Sequence, residues 1–218
     1  KAKNKKVQNT KTSVVHRHSI TSNPNFAKWA LLSVLLITLL AYTPSFFAGF
    51  VNWDDGDYSY NNKFIRSLLN MKQILTTPVQ GNYHPLTMLT LAINWAISGN
   101  HAWSYHLFNV IFHLINCFLV FRLAMQLSDR NVIIAFTTAA LFGIHPMHVE
   151  SVAWVSERKD VLYGMFFLLG LTSYTKYIDE NSRKQYWLTF LFLLLSLASK
   201  PAAVIFPVAI FCIDILRK

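Results

Sequence analysis

The sequence predicts an all-α fold, a polytopic membrane bundle of about six spanning helices with interfacial helices on its outer side, and three observations lead there. Hydrophobic residues make up 53% of the 218 and charged residues only 14%, too few charges to cover a soluble globule of this size. Several apolar runs approach or exceed the roughly 20 residues that cross a hydrocarbon core. When those runs are laid out as alternating crossings, fourteen of the twenty Lys and Arg residues fall on the side of the N-terminus and six on the other, the bias expected of cytoplasmic loops.

Residues 1–27 are rich in Lys, Asn, Ser and Thr with no apolar period, and read as a disordered basic cytoplasmic tail. The first span, 28–50, is longer than a signal-peptide core and runs on through Pro44 and aromatics rather than a small-residue cleavage site, so a retained anchor is expected. Seven of the twenty basic residues lie at or before Lys28. A net charge of +10 would point to nucleic acid in a soluble chain, but attraction of this tail to anionic lipid accounts for it, and no nucleic-acid partner is expected.

Further spans are placed near 104–127, 132–147, 161–178, 186–199 and 202–216, with residues 51–103 forming a first outer loop. The apolar stretch 86–98 would extend only about 20 Å as a helix. If it also crossed, the basic residues would divide ten against ten, so it is placed as a half-buried or re-entrant helix on the outer side. The last two spans are short, and one helix broken at Pro201 is an alternative to two crossings. Cys117 and Cys212 lie inside apolar stretches, where a thiol behaves as a small hydrophobe.

The outer loops carry the chemistry. Asp54, Asp55 and Asp57 follow the first span within four positions; such carboxylates act as a general base or hold a divalent cation, and equally form a solvated Asp-Gly turn. Phe64, Leu68, Met71 and Leu75 recur at helical spacing with Lys63, Arg66, Asn70 and Gln73 opposite, which predicts one amphipathic helix over 63–76, at the membrane interface or packed on the spans. His84-Pro85 starts the following short helix. His106, Asn109, His113 and Asn116 stack along one face of the second span, a pattern that favours interhelical hydrogen bonds over a polar pathway. In the second outer loop, Arg158 and Lys159 join Lys200 from the last hairpin as three cations suited to a phosphate, unless Glu157 and Asp160 neutralise them locally. His145, His148 and Glu150 are metal-ligand types, but at a spacing that matches no strong zinc pattern.

The strings FVNWDDGDYSYNN, YHPLTMLTLAINW, HLFNVIFHLIN, HPMHVESVAWVSERKDVLYGMFFLL and LASKPAAVIFP together resemble the membrane module of the transmembrane and tetratricopeptide-repeat-containing O-mannosyltransferases and their bacterial relatives, over about residues 50 to 207. The resemblance implies a C-superfamily glycosyltransferase module over 28–218, moving a sugar from a polyprenyl-phosphate donor to a protein hydroxyl at the outer face. Through the bacterial relatives it also implies an inner-membrane protein. It makes Asp54 or Asp55 the catalytic carboxylate and places Arg158, Lys159 and Lys200 on the donor phosphate. His84, His145, His148 and Glu150 join the substrate-binding set, and a divalent cation is an open cofactor. Such proteins continue into tetratricopeptide repeats, and no 34-residue repeat occurs here. The expectation is therefore the N-terminal part of a longer protein, with a non-catalytic subunit of a membrane complex as the alternative function.

Overall fold

The computed structural model describes residues 24–217; the predicted tail of residues 1–27 lies almost wholly outside them. Its last four residues are already helical, because α1 (Pro24–Tyr42) begins at Pro24, whose fixed φ suits the first turn. The chain then forms α2 (Met71–Thr76), α3 (Pro85–Ser98), α4 (Trp103–Leu127), α5 (Val132–Ile144), α6 (His148–Ala153), α7 (Arg158–Glu180), α8 (Arg183–Ser199) and α9 (Phe206–Leu216). No strand occurs among the described residues, where the one isolated bridge joins Val79 and Asn82. By length and composition, two segments are long and apolar enough to cross a membrane, Asn25–Phe47 and Trp103–Leu127.

Helix α4 is the axis of the bundle. It packs against α1, α5 and α7, and α8 lies along α7. The polar face predicted on the second span holds this packing together. Asn116 Nδ2 donates to the Val161 carbonyl at 2.8 Å, and Asn109 Nδ2 to that of Trp154 at 2.9 Å. His113 Nε2 lies 2.9 Å from the Gly143 carbonyl, which can only accept. All four residues of that face are buried, and three of them, Asn109, His113 and Asn116, meet carbonyls of neighbouring segments, whereas neither ring nitrogen of His106 has a hydrogen-bond partner among the described residues. Small residues set the closest approaches: a Cβ on Gly143 would collide with Thr38 of α1, and one on Gly170 would lie 2.8 Å from the Phe206 ring.

The ends of these helices are fixed locally. Asn131 caps α5 by accepting from Ile133 and Ile134 N–H, and Asn181 closes α7 in the left-handed conformation at φ 48°. At Lys200 the backbone becomes extended, and Pro201 opens a short 3-10 turn that leads into α9. The chain reverses there: Lys200 meets Asp160 at the start of α7, whereas Arg217 meets Asp179 near its end. The segment is a hairpin and not one broken helix. Those two ends of α7 are separated by about 30 Å at 1.5 Å per residue.

One predicted element changes form. Residues 63–76 do not make a single amphipathic helix: Ser67 is extended (φ −147°, ψ 130°) and breaks the stretch into two 3-10 turns followed by α2. The Ser67 hydroxyl accepts from Leu69 N–H, the local hydrogen bonding that makes serine a poor interior helix residue. The break lets Ile65 and Ile74 enter one core with Tyr58, Leu91, Tyr105 and Val155, and leaves Leu69 exposed.

Candidate active site where the two loops meet

Asp54 and Asp55 are neighbours in sequence with opposite surroundings. Asp55 is fully buried, and both its oxygens accept backbone N–H groups, from Val51 at 2.8 Å and from Ser156 at 2.9 Å. It ties the first loop to the second across a hundred residues of chain. Asp54 is half-buried and takes one hydrogen bond at its carboxylate, from Gln80 Nε2 at 3.1 Å. The same amide reaches the exposed Asp57 at 3.0 Å. Gln80 and Gly81 both have positive φ, 49° and 75°, and this tight turn between Val79 and Asn82 presents the amide to the acids. A cavity of about 380 Å³ opens beside it, with Asp57, Asn61, Lys63 and Gln80 among its walls.

The second loop, which Asp55 holds through Ser156, forms a charged cluster with the last hairpin. Lys159 Nζ lies 2.8 Å from Glu157, Lys200 pairs with Asp160 and sits 3.9 Å from Glu157, and Ser151 donates to the other oxygen of Asp160 at 3.1 Å. Burial raises the Glu157 carboxyl above its ordinary range, against the pull of Lys159. Lys159 also lies 4.7 Å from the centre of the ring of Tyr58, which stands four residues after Asp54. Burial, with the negative charges of Asp54 and Glu157, pushes the Tyr58 phenol up to about 12, so it stays a neutral hydrogen-bond donor.

His84 completes the arrangement. It is 4% exposed, 6.0 Å from Tyr58 ring to ring, and neither ring nitrogen has a hydrogen-bond partner among the described residues. Burial, followed by the charges of Lys159 and Lys200, lowers its pKa to about 4. It stands immediately before α3, whose N-terminus is fixed to the last hairpin by Thr87 Oγ1 donating to the Ser199 carbonyl at 3.0 Å. A helix start, two lysines and an unpartnered imidazole are thus brought to one place, an arrangement suited to an anion.

The remaining predicted residues lie elsewhere. Arg158 does not join the two lysines. One step along the helix turns it away from Lys159 and into the protein, where it is fully buried. Its guanidinium donates to Asn109, to Asn94 at 2.8 Å, to Thr90 at 3.4 Å and to the Tyr105 carbonyl at 2.8 Å, over the rings of Phe108 and Phe112. These bonds use the fork that a phosphate would need. His145 and Glu150 are exposed, and His148 packs against Phe142 with its pKa lowered by burial and by His145. Among the described residues no group of three or more His, Cys, Asp or Glu is placed to hold a metal ion. Tyr58 and Gln80 were not singled out by the sequence; the only sign of Tyr58 is its place four residues after Asp54, one helical turn.

Comparisons with known proteins agree on kinship. The family model described as dolichyl-phosphate-mannose-protein mannosyltransferase matches residues 82–217, a stretch that contains His84, Lys159 and Lys200 but not Asp54. Protein O-mannosyl-transferase TMTC3 of Mus musculus is 33% identical over 154 residues, 65% of this chain and 16% of that protein. TMTC4 of the same species is 29% identical over 180 residues, 72% and 24%. Protein O-mannosyl-transferase F38B6.6 of Caenorhabditis elegans is 27% identical over 198 residues, 85% and 28%. The chain therefore spans between about a sixth and rather more than a quarter of these relatives. No solved structure matches it.

Proposed function

The chain belongs to the dolichyl-phosphate-mannose-protein mannosyltransferase family, and from that membership we propose that it transfers a sugar from a polyprenyl-phosphate donor to a protein hydroxyl at the outer face of a membrane. The observation that carries the reading is the contact of the two loops through Asp55 and Ser156, with Lys159 over the ring of Tyr58, four residues after Asp54, beside the unpartnered ring of His84. Asp54 is the base: it keeps an oxygen free of protein hydrogen bonds, whereas both oxygens of Asp55 are held by backbone N–H groups. It takes the proton of the acceptor hydroxyl as that oxygen bonds to the anomeric carbon and the bond from that carbon to the phosphate oxygen breaks. The cavity beside Gln80 holds the acceptor segment. Lys159 and Lys200 exchange their carboxylates for the phosphate, and the His84 ring donates to it, which stabilises the charge of the departing polyprenyl phosphate. Arg158 is a structural residue in this reading, and the loops lie outside with the N-terminus cytoplasmic, as the division of basic residues favours. The inner membrane of a bacterium gains no support from the relatives named above, which are animal proteins.

Donor binding and sugar transfer by purified protein test the assignment. Asp54→Asn is expected to lower transfer by about 10²–10⁴-fold with donor affinity unchanged, and Lys200→Ala to weaken donor binding by about 1.5–3 kcal/mol. Wild-type transfer in Asp54→Asn would remove the base, and unchanged affinity in both Lys200→Ala and Lys159→Ala would remove the phosphate site. The paired charges of the cluster also favour a second reading, a non-catalytic subunit within a membrane complex. A folded wild-type chain that neither binds donor nor transfers sugar would select it.

A further inference from the structure

At the opposite end of the bundle, the ends of α1, α4, α7 and α9 leave an open cleft of about 1210 Å³. Five cations line it: Lys28, Arg122, Arg130, Lys176 and Arg217. Of these, Arg217 is held by Asp179 and by the Gln126 carbonyl, and among the described residues the other four form no ion pair. Asp129 and Glu180 share the cleft, which leaves an excess of positive charge there. Residues 1–23 contain no Asp or Glu, so that segment has no side-chain carboxylate with which to neutralise it.

The cleft does not end at its charges. An apolar groove of about 440 Å³ shares Leu127 and Leu216 with it and continues between α4 and α5 along Val120, Leu123, Ala124 and Ile134. From Leu127 back to Val120 the groove follows α4 for about 10 Å. A cationic chamber that opens into an apolar channel has the two-part chemistry of an amphiphile. A free phosphate would need only the chamber, and a second copy of a basic chain would be repelled by it.

We propose that this cleft and groove bind one anionic phospholipid, its phosphate among Lys28, Arg122, Arg130 and Lys176 and one acyl chain along α4 and α5. The site is separate from the sugar-transfer cluster and does not rest on that assignment. It would fasten the ends of α1, α4, α7 and α9 to each other through the lipid, since each contributes part of the wall.

The test is lipid retention by the purified 218-residue chain in neutral detergent, read by native mass spectrometry. Phosphatidylglycerol and phosphatidylcholine with identical chains are added, and inorganic phosphate is added separately. Phosphatidylglycerol is expected to be retained in preference. The double variant Arg122→Gln, Lys176→Gln should lower that preference by about fivefold for each cation removed. Ile134→Trp, which fills the groove and leaves the cations in place, should lower retention as well, while Lys72→Gln at the other end should not change it. Equal retention of the two lipids overturns the proposal, as does retention that survives the double variant, which would assign the attraction to the tail. Displacement of the lipid by millimolar inorganic phosphate would make the cleft a site for soluble anions and overturn the lipid.

Discussion

The two ends of this bundle use charge in opposite ways. Where the loops meet, Lys159 pairs with Glu157, Lys200 with Asp160, Arg158 is enclosed by amides and a carbonyl, and Asp55 is held by backbone N–H groups. At the other end Lys28, Arg122, Arg130 and Lys176 have no ion-pair partner among the described residues. The first arrangement gives every charge a partner within the protein, so that removing Arg158 or Asp55 leaves buried groups unsatisfied. The second leaves charge available to something outside the protein. Substitutions of similar size at the two ends should therefore differ greatly in their cost.

The largest effect is expected at Arg158. Arg158→Ala leaves Asn94 Oδ1, Asn109 Oδ1 and the Tyr105 carbonyl without their donor, in a buried site. At roughly 1–3 kcal/mol for each unsatisfied group, the variant should lose about 3 kcal/mol or more, much of the stability of an ordinary domain. Thermal unfolding in detergent reads this directly. A midpoint close to wild type would mean that the guanidinium is dispensable, and that its burial does not separate it from Lys159.

Acid should act next, through His84. Its folded pKa is lowered to about 4 from the ordinary 6.5, so the folded state keeps the ring neutral while the unfolded chain binds a proton below 6.5. Stability contributed by the neutral ring is present above pH 6.5 and is lost as pH falls from there towards 4, by up to about 3 kcal/mol. Denaturant titrations of wild type and His84→Gln across this range should converge as the pH falls. Parallel curves would show that His84 does not titrate with folding.

Adjacent aspartates give a sharper internal contrast. Asp55→Asn removes a buried charged acceptor from the N–H groups of Val51 and Ser156 and should cost about 1.5–3 kcal/mol. Asp54→Asn retains an acceptor for Gln80 at a half-buried position and should stay within about 0.5 kcal/mol, so its effect should appear in transfer and not in unfolding. Equal destabilisation by the two would remove the distinction on which Asp54 is assigned as the base.

How much of this was legible in the sequence follows the range of each interaction. Spans such as 104–127 were readable because an apolar run reports its own solvent, and the face of His106, Asn109, His113 and Asn116 because helical spacing is local. The break at Ser67 was not, since periodicity says which face is apolar but not whether a serine continues the helix or bonds within its own turn. Composition grouped Arg158 with Lys159, and Asp54 with Asp55. Only the partners distinguish them: Ser156 lies 101 residues from Asp55, and Asn94 lies 64 from Arg158. Those long-range contacts are what turn one member of each pair into structure.

The smallest effect is expected at the basic end, and it completes the contrast. Arg122 is exposed, rests 5.7 Å from the Phe118 ring centre and has no ion-pair partner among the described residues. Arg122→Gln keeps a long polar side chain there and buries nothing new, so the thermal midpoint in neutral detergent should correspond to a change within about 0.5 kcal/mol. The same holds for the double variant with Lys176→Gln, because the two positions share no partner whose loss would couple them. If either variant instead destabilised the chain as Asp55→Asn is expected to, the cations of this end would be part of the fold after all. Little change here, beside a large loss at Arg158, would place the difference between two arginines in what surrounds them and not in their charge.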